Sequence, residues 1–452
     1  MKDIELIQGI DISTEKEDLI CYSYDASYAK GNIPEAVAWP KNTQEIARTV
    51  RWASNRGLKI IPRGAGTGMA GGAVPVNSNS VLISLERMKQ ILEINPKNFT
   101  ATVEPGVING DFQNELLIYE LFYPPDPASL DYCTIGGNVA TNAGGPRAIK
   151  YGVTRNYVME VEVVLPNGDI VSFGGKTFKR VVGYELKELF IGSEGTLGII
   201  SKITVRVLPQ PEEIVTLLIS FKELDSAGQF IPKIIGTGII PRTLEFLDSA
   251  CLKLIEDNEK IGLPENTEAL LLVEVDGELT SIKRQAEKIV DIARKFKGET
   301  KVAVDYYSRE NLWRARRSIS ACIMKMKDKE KINIDISVPV ENLSMALVKL
   351  RELSIASDIQ VICFGHAGDG NIHVNILVNR DDEENRKKGF ELAKKIFELT
   401  VSLGGAISGE HGIGITKKPY IDIQLSKKNI ELMKAVKRVF DPKEIMNPGK
   451  IF

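Results

Sequence analysis

Three glycine-rich stretches constrain this chain more than anything else in it: IIPRGAGTGMAGGAVP (60–75), YPPDPASLDYCTIGGNVATNAGGPRAIKYG (123–152) and FIGSEGTLGII (190–200). Glycine lets a backbone approach a flat ligand closely, and loops built from it present bare N–H and C=O groups as donors and acceptors. One such loop is weak evidence of a site. Three in order between residues 60 and 200, with small polar Thr134, Asn138, Thr141 and Asn142 among the glycines, point to an extended polar ligand. The first stretch has a G-x-G-x-x-G spacing at Gly66, Gly68 and Gly71, with Glu86 further on. A Rossmann-type dinucleotide fold needs a helix directly after that loop, whereas Gly72, Pro75 and a polar run follow here. The phosphate loop of nucleotide hydrolases fails as well, because Ile170 stands where the first glycine before Gly175-Lys176-Thr177 belongs. What remains is a nest of backbone N–H groups that holds a pyrophosphate without a helix dipole.

The chain has 452 residues, which at roughly 150 residues per domain suggests two or three domains. Its 58 Lys and Arg balance 60 Asp and Glu, a formal net charge of −2, which argues against a nucleic-acid binder. No apolar run reaches the ~20 residues of a membrane span. The opening MKDIELIQGIDISTEKEDLI mixes acids into its apolar residues and lacks a signal-peptide pattern, so a cytoplasmic protein is expected. The five cysteines (Cys21, Cys133, Cys251, Cys322, Cys363) form no C-x-x-C pair. Iron–sulfur and zinc-ribbon spacings are therefore absent, and any electrons moved need an organic carrier. The chain has three histidines, His366, His373 and His411, all in glycine-rich stretches toward the C-terminus.

The first half alternates helices and strands. Asn42 with Glu45 three residues later is an N-cap pattern, and Ile46, Val50 and Ala53 give the following helix an apolar face. LKIIP (58–62), VLISL (81–85) and TATVEP (100–105) read as strands, and Asn167-Gly168 between β-branched runs reads as a hairpin turn. After about residue 210, strands such as TLLISF (216–221) and LLLVEVD (270–276) alternate with amphipathic helices near 279–297 and 382–402. In the second of these helices Phe390, Ala393 and Phe397 share a face, and Gly404 closes it. The spacing of Ile430, Met433, Val436 and Phe440 predicts a last helix that stops at Asp441-Pro442.

With these motifs the sequence resembles the FAD-linked oxidoreductases of the vanillyl-alcohol oxidase type, in the branch of the D-lactate, glycolate and D-2-hydroxyglutarate dehydrogenases. The resemblance runs from YSYDAS (22–27) to MNPGK (446–450). It implies an α+β fold: a two-subdomain FAD-binding domain (1–209), an α+β cap or substrate domain with an antiparallel sheet (210–405), and a C-terminal segment (406–452) that returns to the FAD domain. It implies cofactor contacts at Pro62, Arg63, Gly64, Ala65, Gly66, Thr67 and Gly68 around the pyrophosphate. Thr134, Gly136, Gly137, Asn138, Thr141, Asn142, Gly144, Glu194 and Ile200 would line the flavin, with Pro125, Asp126 and Asn447 nearby. Some relatives tether FAD to an N-terminal histidine, but none precedes His366 here, so the expected FAD is non-covalent.

His366 and His373 lie in FGHAGDGNIHVNIL (364–377), and Glu410-His411 in ISGEHGIG (407–414). Two imidazoles and a carboxylate suit Zn, Mn or Fe with positions left open. A 2-hydroxy acid could chelate such an ion, which would lower the pKa of its hydroxyl. His411 would act as the base while hydride leaves for flavin N5. The resemblance implies the same set: His366, His373 and Glu410 as metal ligands, His411 as base, Asn375 near substrate. Arg314, Arg316 and Arg317 share one predicted helix. By the family's Trp-x-x-Arg pattern, Arg316 is expected to take the substrate carboxylate, with Ser320 one turn on. Where 2-hydroxyglutarate enzymes carry a lysine, Asn333 stands ahead of IDISVP (334–339), which favours D-lactate or glycolate. The expected acceptor is a separate partner, such as an electron-transferring flavoprotein or an iron–sulfur subunit. A flavin subunit that only relays electrons is the alternative, and the retained histidines and Glu410 speak against it. A metallohydrolase would leave the three glycine loops without a task.

Overall fold

The computed structural model describes residues 7–260, 262 and 265–452. The first six residues of the N-terminal stretch, on which the reading of a missing leader partly rests, lie outside them. The chain divides into two compact units: 1–144 with 152–210 and 410–452, and 145–151 with 211–409. Among the described residues no helix is long and apolar enough to cross a membrane.

In the first unit, a four-stranded sheet runs in the order Asp11–Ser13, Ala36–Trp39, Ser80–Ser84, Lys59–Arg63. The last three strands are mutually parallel. The helix Thr43–Asn55 crosses between two of them, as a parallel connection requires. Asn42 caps it, its side chain accepting the Glu45 N–H at 2.9 Å while Glu45 Oε1 accepts the Asn42 amide at 3.0 Å. Its Ile46, Ala47, Val50 and Ala53 pack on Ala36, Ala38, Ile60, Val81 and Ile83. Each large aliphatic side chain buried there contributes about 1.5–3 kcal/mol. A second, five-stranded antiparallel sheet follows, Ile91–Asn95, Thr100–Val103, Ile199–Arg206, Val158–Val164, Ile170–Gly174 in order. The last two strands are the hairpin that Asn167-Gly168 predicts.

The C-terminal segment closes this unit. Ile60 N–H donates to Ile445 O and Asn447 N–H to Ile60 O, both at 2.7 Å, so the tail pairs beside the 59–63 strand. The last helix spans Lys427–Phe440, and the Phe440 ring meets buried Phe190 edge-on at 5.3 Å. Val436, expected on the inner face, is instead exposed. Lys437 takes the inward position, and its ammonium donates to Thr196 O, Met446 O and Asp441 at 2.8–2.9 Å. A cation at a helix C-terminus satisfies carbonyls that an apolar side chain cannot.

The second unit is built on a seven-stranded antiparallel sheet: Glu299–Ala303, Glu213–Phe221, Ala269–Gly277, Thr243–Asp248, Gln360–His366, Asn371–Asn379, Lys329–Ser337. The helices Ser249–Glu259 and Tyr306–Met324 cover one face through Leu252, Ile255, Ile319 and Ile323. The helix Glu383–Ser402 packs on the 371–379 and 329–337 strands. It buries Leu392, Ala393, Ile396 and Phe397, whereas Phe390 sits at the edge of that face under the Arg386 guanidinium.

Gly389 lies inside this helix, where glycine costs about 1 kcal/mol relative to alanine. A Cβ there would stand 2.5 Å from Val378 Cγ1 and 2.9 Å from Ile332 Cδ1. Overpacking of that kind costs about 1–3 kcal/mol. Gly389→Ala is therefore expected to lower the urea midpoint, although helix propensity alone predicts a rise. A raised midpoint would show that the helix shifts off the sheet at no cost.

Candidate active site

The first unit brings the glycine loops together. The 59–63 strand delivers PRGAGTG, and a Cβ on Gly64 would stand 2.5 Å from Thr134 Oγ1, so the first loop lies directly on the second. Thr134 caps the short helix Ile135–Thr141 by accepting the Gly137 N–H at 3.2 Å. A Cβ on Gly136 would strike Pro105. Asn142 ends that helix with φ 52° and accepts the Arg155 N–H at 2.9 Å. Thr141 donates to Gly137 O, and Pro125 O receives the Gln113 and Asn109 amides. Arg63 turns under its own loop and donates to Tyr24 O at 2.7 Å. Burial lowers its pKa, against the nearby charge of Asp25. Gly68 has open space at its Cβ position. Ile200 is buried in the 199–206 strand.

The third loop and the C-terminal segment meet at Glu194. This buried residue, at φ 52°, accepts the Ile413 and Gly414 N–H groups at 2.8 Å, one on each carboxylate oxygen. Burial pushes its pKa up while those two N–H groups oppose the rise. Asn447 donates to Glu194 O at 2.6 Å and Gly72 O at 2.8 Å. Glu410 and His411 sit just before the clamped residues, and the Glu410 carboxylate lies against Gly144, within 2.5 Å of where a Cβ would stand. Arg63, Thr141, Asn142 and Glu194 thus spend their side chains on the chain itself and shape the loops.

Two buried polar atoms here, Asn138 Nδ2 and Asn447 Oδ1, have no hydrogen-bond partner among the described residues. Such atoms are costly unless a ligand or water meets them. Their place on the second loop and the tail, with the open backbone at Gly68, fits a long polar cofactor lying along the loops.

The second unit carries His366 and His373 on adjacent strands joined by the tight AGDG turn (367–370). Gly370 adopts φ 79° there, and any Cβ would collide with Val338 O. Register pairs Glu245 with His366, Phe364 with His373, and His373 with Asp335. The two histidine Nε2 atoms face each other at 3.3 Å. His366 Nδ1 lies 2.6 Å from Glu245 Oε1, and Arg316 Nε donates to Glu245 Oε2 at 2.6 Å. Burial alone would raise the Glu245 carboxyl, but His366 and Arg316 outweigh it and hold the carboxyl below its ordinary value. An ionised carboxylate accepts from Nδ1–H of His366, which turns Nε2 toward His373. That donor arrangement suits a cation.

Of the three arginines, Arg316 alone turns onto the sheet, its guanidinium 4.7 Å from the Phe364 ring centre. Its Nη atoms make no hydrogen bond among the described residues. Arg314 is exposed, and Arg317 pairs with Glu310. Ser320 is exposed one turn beyond Arg316. Asn375 is buried and accepts from Asn333 Nδ2 at 2.8 Å, while Asn333 Oδ1 and Asn375 Nδ2 have no partner among the described residues. Lys331 lies two positions up the same strand and so on the same face as Asn333. Burial lowers its pKa. Lys331 therefore shares a face with Asn333, two residues further along the strand. Glu245 and Lys331 were both missed. The one sequence signal for Glu245 is an acid in the middle of the otherwise apolar run TLEFL.

Two family profiles match: "FAD linked oxidases, C-terminal domain" over residues 210–451 and "FAD binding domain" over residues 34–174. The glycolate oxidase subunit GlcD of Bacillus subtilis is 44% identical over 440 residues, 96% of this chain and 92% of that protein. A D-lactate dehydrogenase of Anaerostipes hadrus is 36% identical, with 94% and 91% covered. A D-2-hydroxyglutarate dehydrogenase of Stutzerimonas stutzeri is 33% identical, with 99% and 97% covered. Among solved structures, 4-ethylphenol oxidase of Gulosibacter chungangensis superposes with a TM-score of 0.78 at 20% identity, covering 97% of this chain and 93% of that one. p-Cresol methylhydroxylase gives 0.79 at 16%, with the same coverage. The chain belongs to the FAD-linked oxidases and has the fold of the vanillyl-alcohol oxidase type.

Proposed function

We propose that this protein is a dehydrogenase that oxidises a D-2-hydroxy acid to the 2-oxo acid, with non-covalent FAD as its electron acceptor. The observation that carries the reading is the arrangement on one sheet face: Arg316, with both Nη atoms uncommitted, beside two converging histidine Nε2 atoms. Arg316 binds the substrate carboxylate in a bidentate fork. His366, His373 and Glu410 are the residues that would hold a divalent ion, Zn, Mn or Fe. Gly409, the residue before Glu410, donates its N–H to Asp335 at 2.8 Å, at the register of His373. FAD, when bound, would supply a two-electron acceptor for the hydride, and a divalent ion would supply a Lewis acid for the hydroxyl. His411 takes the hydroxyl proton, and the grip of Glu194 on Ile413 and Gly414 holds the loop that carries it. Asn375 lies beside the bound acid, with Ser320 as a further contact.

The names of the relatives support D-lactate or glycolate as substrate. A longer dicarboxylate is a second reading, favoured by the half-buried Lys331, which shares a strand face with Asn333, the cross-strand partner of Asn375. Reoxidation falls to a separate partner, an electron-transferring flavoprotein or an iron–sulfur subunit. The subunit name of the Bacillus relative fits such an assembly. Four of the five cysteines are buried and all are free thiols, so this chain offers no iron–sulfur cluster of its own.

Anaerobic titration of the metal-replete protein with D-lactate, L-lactate, glycolate and D-2-hydroxyglutarate tests the reading. One D-acid is expected to bleach the flavin band while its L-isomer leaves it. A flavin spectrum that none of them bleaches would overturn the assignment. His411→Asn is expected to lower kcat by roughly 10²–10⁴-fold with flavin content intact. Arg316→Lys replaces the fork by a point charge and is expected to raise KM by about tenfold or more. Stopped-flow reduction at several substrate concentrations separates the two effects.

A further inference from the structure

We infer that Glu245 is a positioning residue that ties the substrate-carboxylate site to the metal site, one carboxylate oxygen ordering His366 and the other ordering Arg316. The inference rests on the hydroxy-acid reading above and adds the residue through which its two halves are held in one geometry. Glu245 stands on the 243–248 strand, fourth of seven in the sheet, where backbone pairing on both sides leaves it no freedom. Its side chain is fully buried. An ionised carboxylate only accepts hydrogen bonds, so the 2.6 Å contact to His366 Nδ1 requires the proton on Nδ1 and leaves Nε2 as a ligand atom. The second oxygen takes Arg316 Nε at 2.6 Å. That contact spends Nε and leaves both Nη atoms for another carboxylate. The Phe364 ring at 4.7 Å fixes the remaining rotation of the guanidinium.

Stability alone does not account for such a group. Buried ion pairs are often replaceable by apolar side chains with no loss of stability, whereas a shared anion sets the relative placement of its two partners. Through Glu245, a shift of the His366 ring on metal binding changes the seat of Arg316, and carboxylate capture at Arg316 changes the seat of His366.

Glu245→Gln tests this. The amide keeps the shape but accepts at one end and turns an N–H toward a donor at the other. Metal affinity, measured on flavin-loaded protein by competition with a chromogenic chelator, is expected to fall roughly 10–100-fold. KM for the hydroxy acid is expected to rise with it, while flavin content stays unchanged. Glu245→Asp keeps the charge but withdraws it by one methylene, and the same paired loss is expected. Glu274→Gln is the matched control, since Glu274 is a buried carboxylate on the same sheet that bonds Thr216 and Trp313 and touches neither His366 nor Arg316. It should leave metal affinity and KM alone. If Glu245→Gln lowers Tm but moves neither quantity, or moves metal affinity without KM, the coupling is overturned. A wild type that oxidises hydroxy acids yet holds no metal overturns it too and leaves the substrate reading standing. A wild type bleached by no hydroxy acid removes both.

Discussion

The grip of the Glu194 carboxylate on the Ile413 and Gly414 N–H groups joins parts of the first unit that lie 219 and 220 residues apart in the chain. Residues 211–409 of the second unit intervene, so the first unit is complete only when residues 410–452 meet residues 1–144 and 152–210. Closing so long a loop costs entropy that only many short-range gains can offset. The gains are visible: two buried N–H groups on one carboxylate, the Asn447 amide on Gly72 and Glu194, the Lys450 ammonium on Val74 O, and the 445–447 backbone on Ile60. The same join places Glu410 and His411 at the start of the clamped segment. The residues proposed for chemistry are therefore held by the contact that completes the cofactor-binding unit.

The second unit solves a different problem. Its sheet is antiparallel throughout, and adjacent strands in exact register bring Glu245, His366, Phe364, His373 and Asp335 across three pairings. A slip of one residue would turn every one of these side chains to the opposite face. The tight turn at 367–370 sets that register between the two histidine strands. A second buried charge group on the sheet, Arg242 with Asp276 and Glu274, ties down Lys150 and Tyr151 of the 145–151 excursion through Asp276. These contacts place residues 145–151, near the end of the second glycine-rich stretch, in the second unit.

Much of this was legible in the residues. The glycine loops stood out because glycine tolerates close approach, and the structure shows Gly64 against Thr134 and Gly144 against Glu410. The N-cap at Asn42 and the hairpin at Asn167-Gly168 are local and were readable for that reason. Other features depended on partners far along the chain. The contact of the Arg63 guanidinium with Tyr24 O, across 39 residues, is one of these. Val436 fits an apolar helical spacing, yet Lys437 is the residue that faces inward, because carbonyls at 196 and 446 await a donor. Lys331 shares a face with Asn333 because the strand begins as early as Lys329 and its side chains alternate.

The sequence by itself determined the chemistry available: loops of bare backbone for a polar cofactor, three histidines with a glutamate directly before the last, an arginine-bearing helix, and no cysteine cluster to carry electrons. These follow from residue type and local spacing, which need no fold to be read. Only the tertiary structure decided which of three arginines turns inward, that a mid-strand glutamate joins it to His366, and that Glu194 serves the loop bearing His411. Each of those outcomes is a meeting of residues more than seventy positions apart, and such meetings are set by strand register and chain return, which no local pattern encodes.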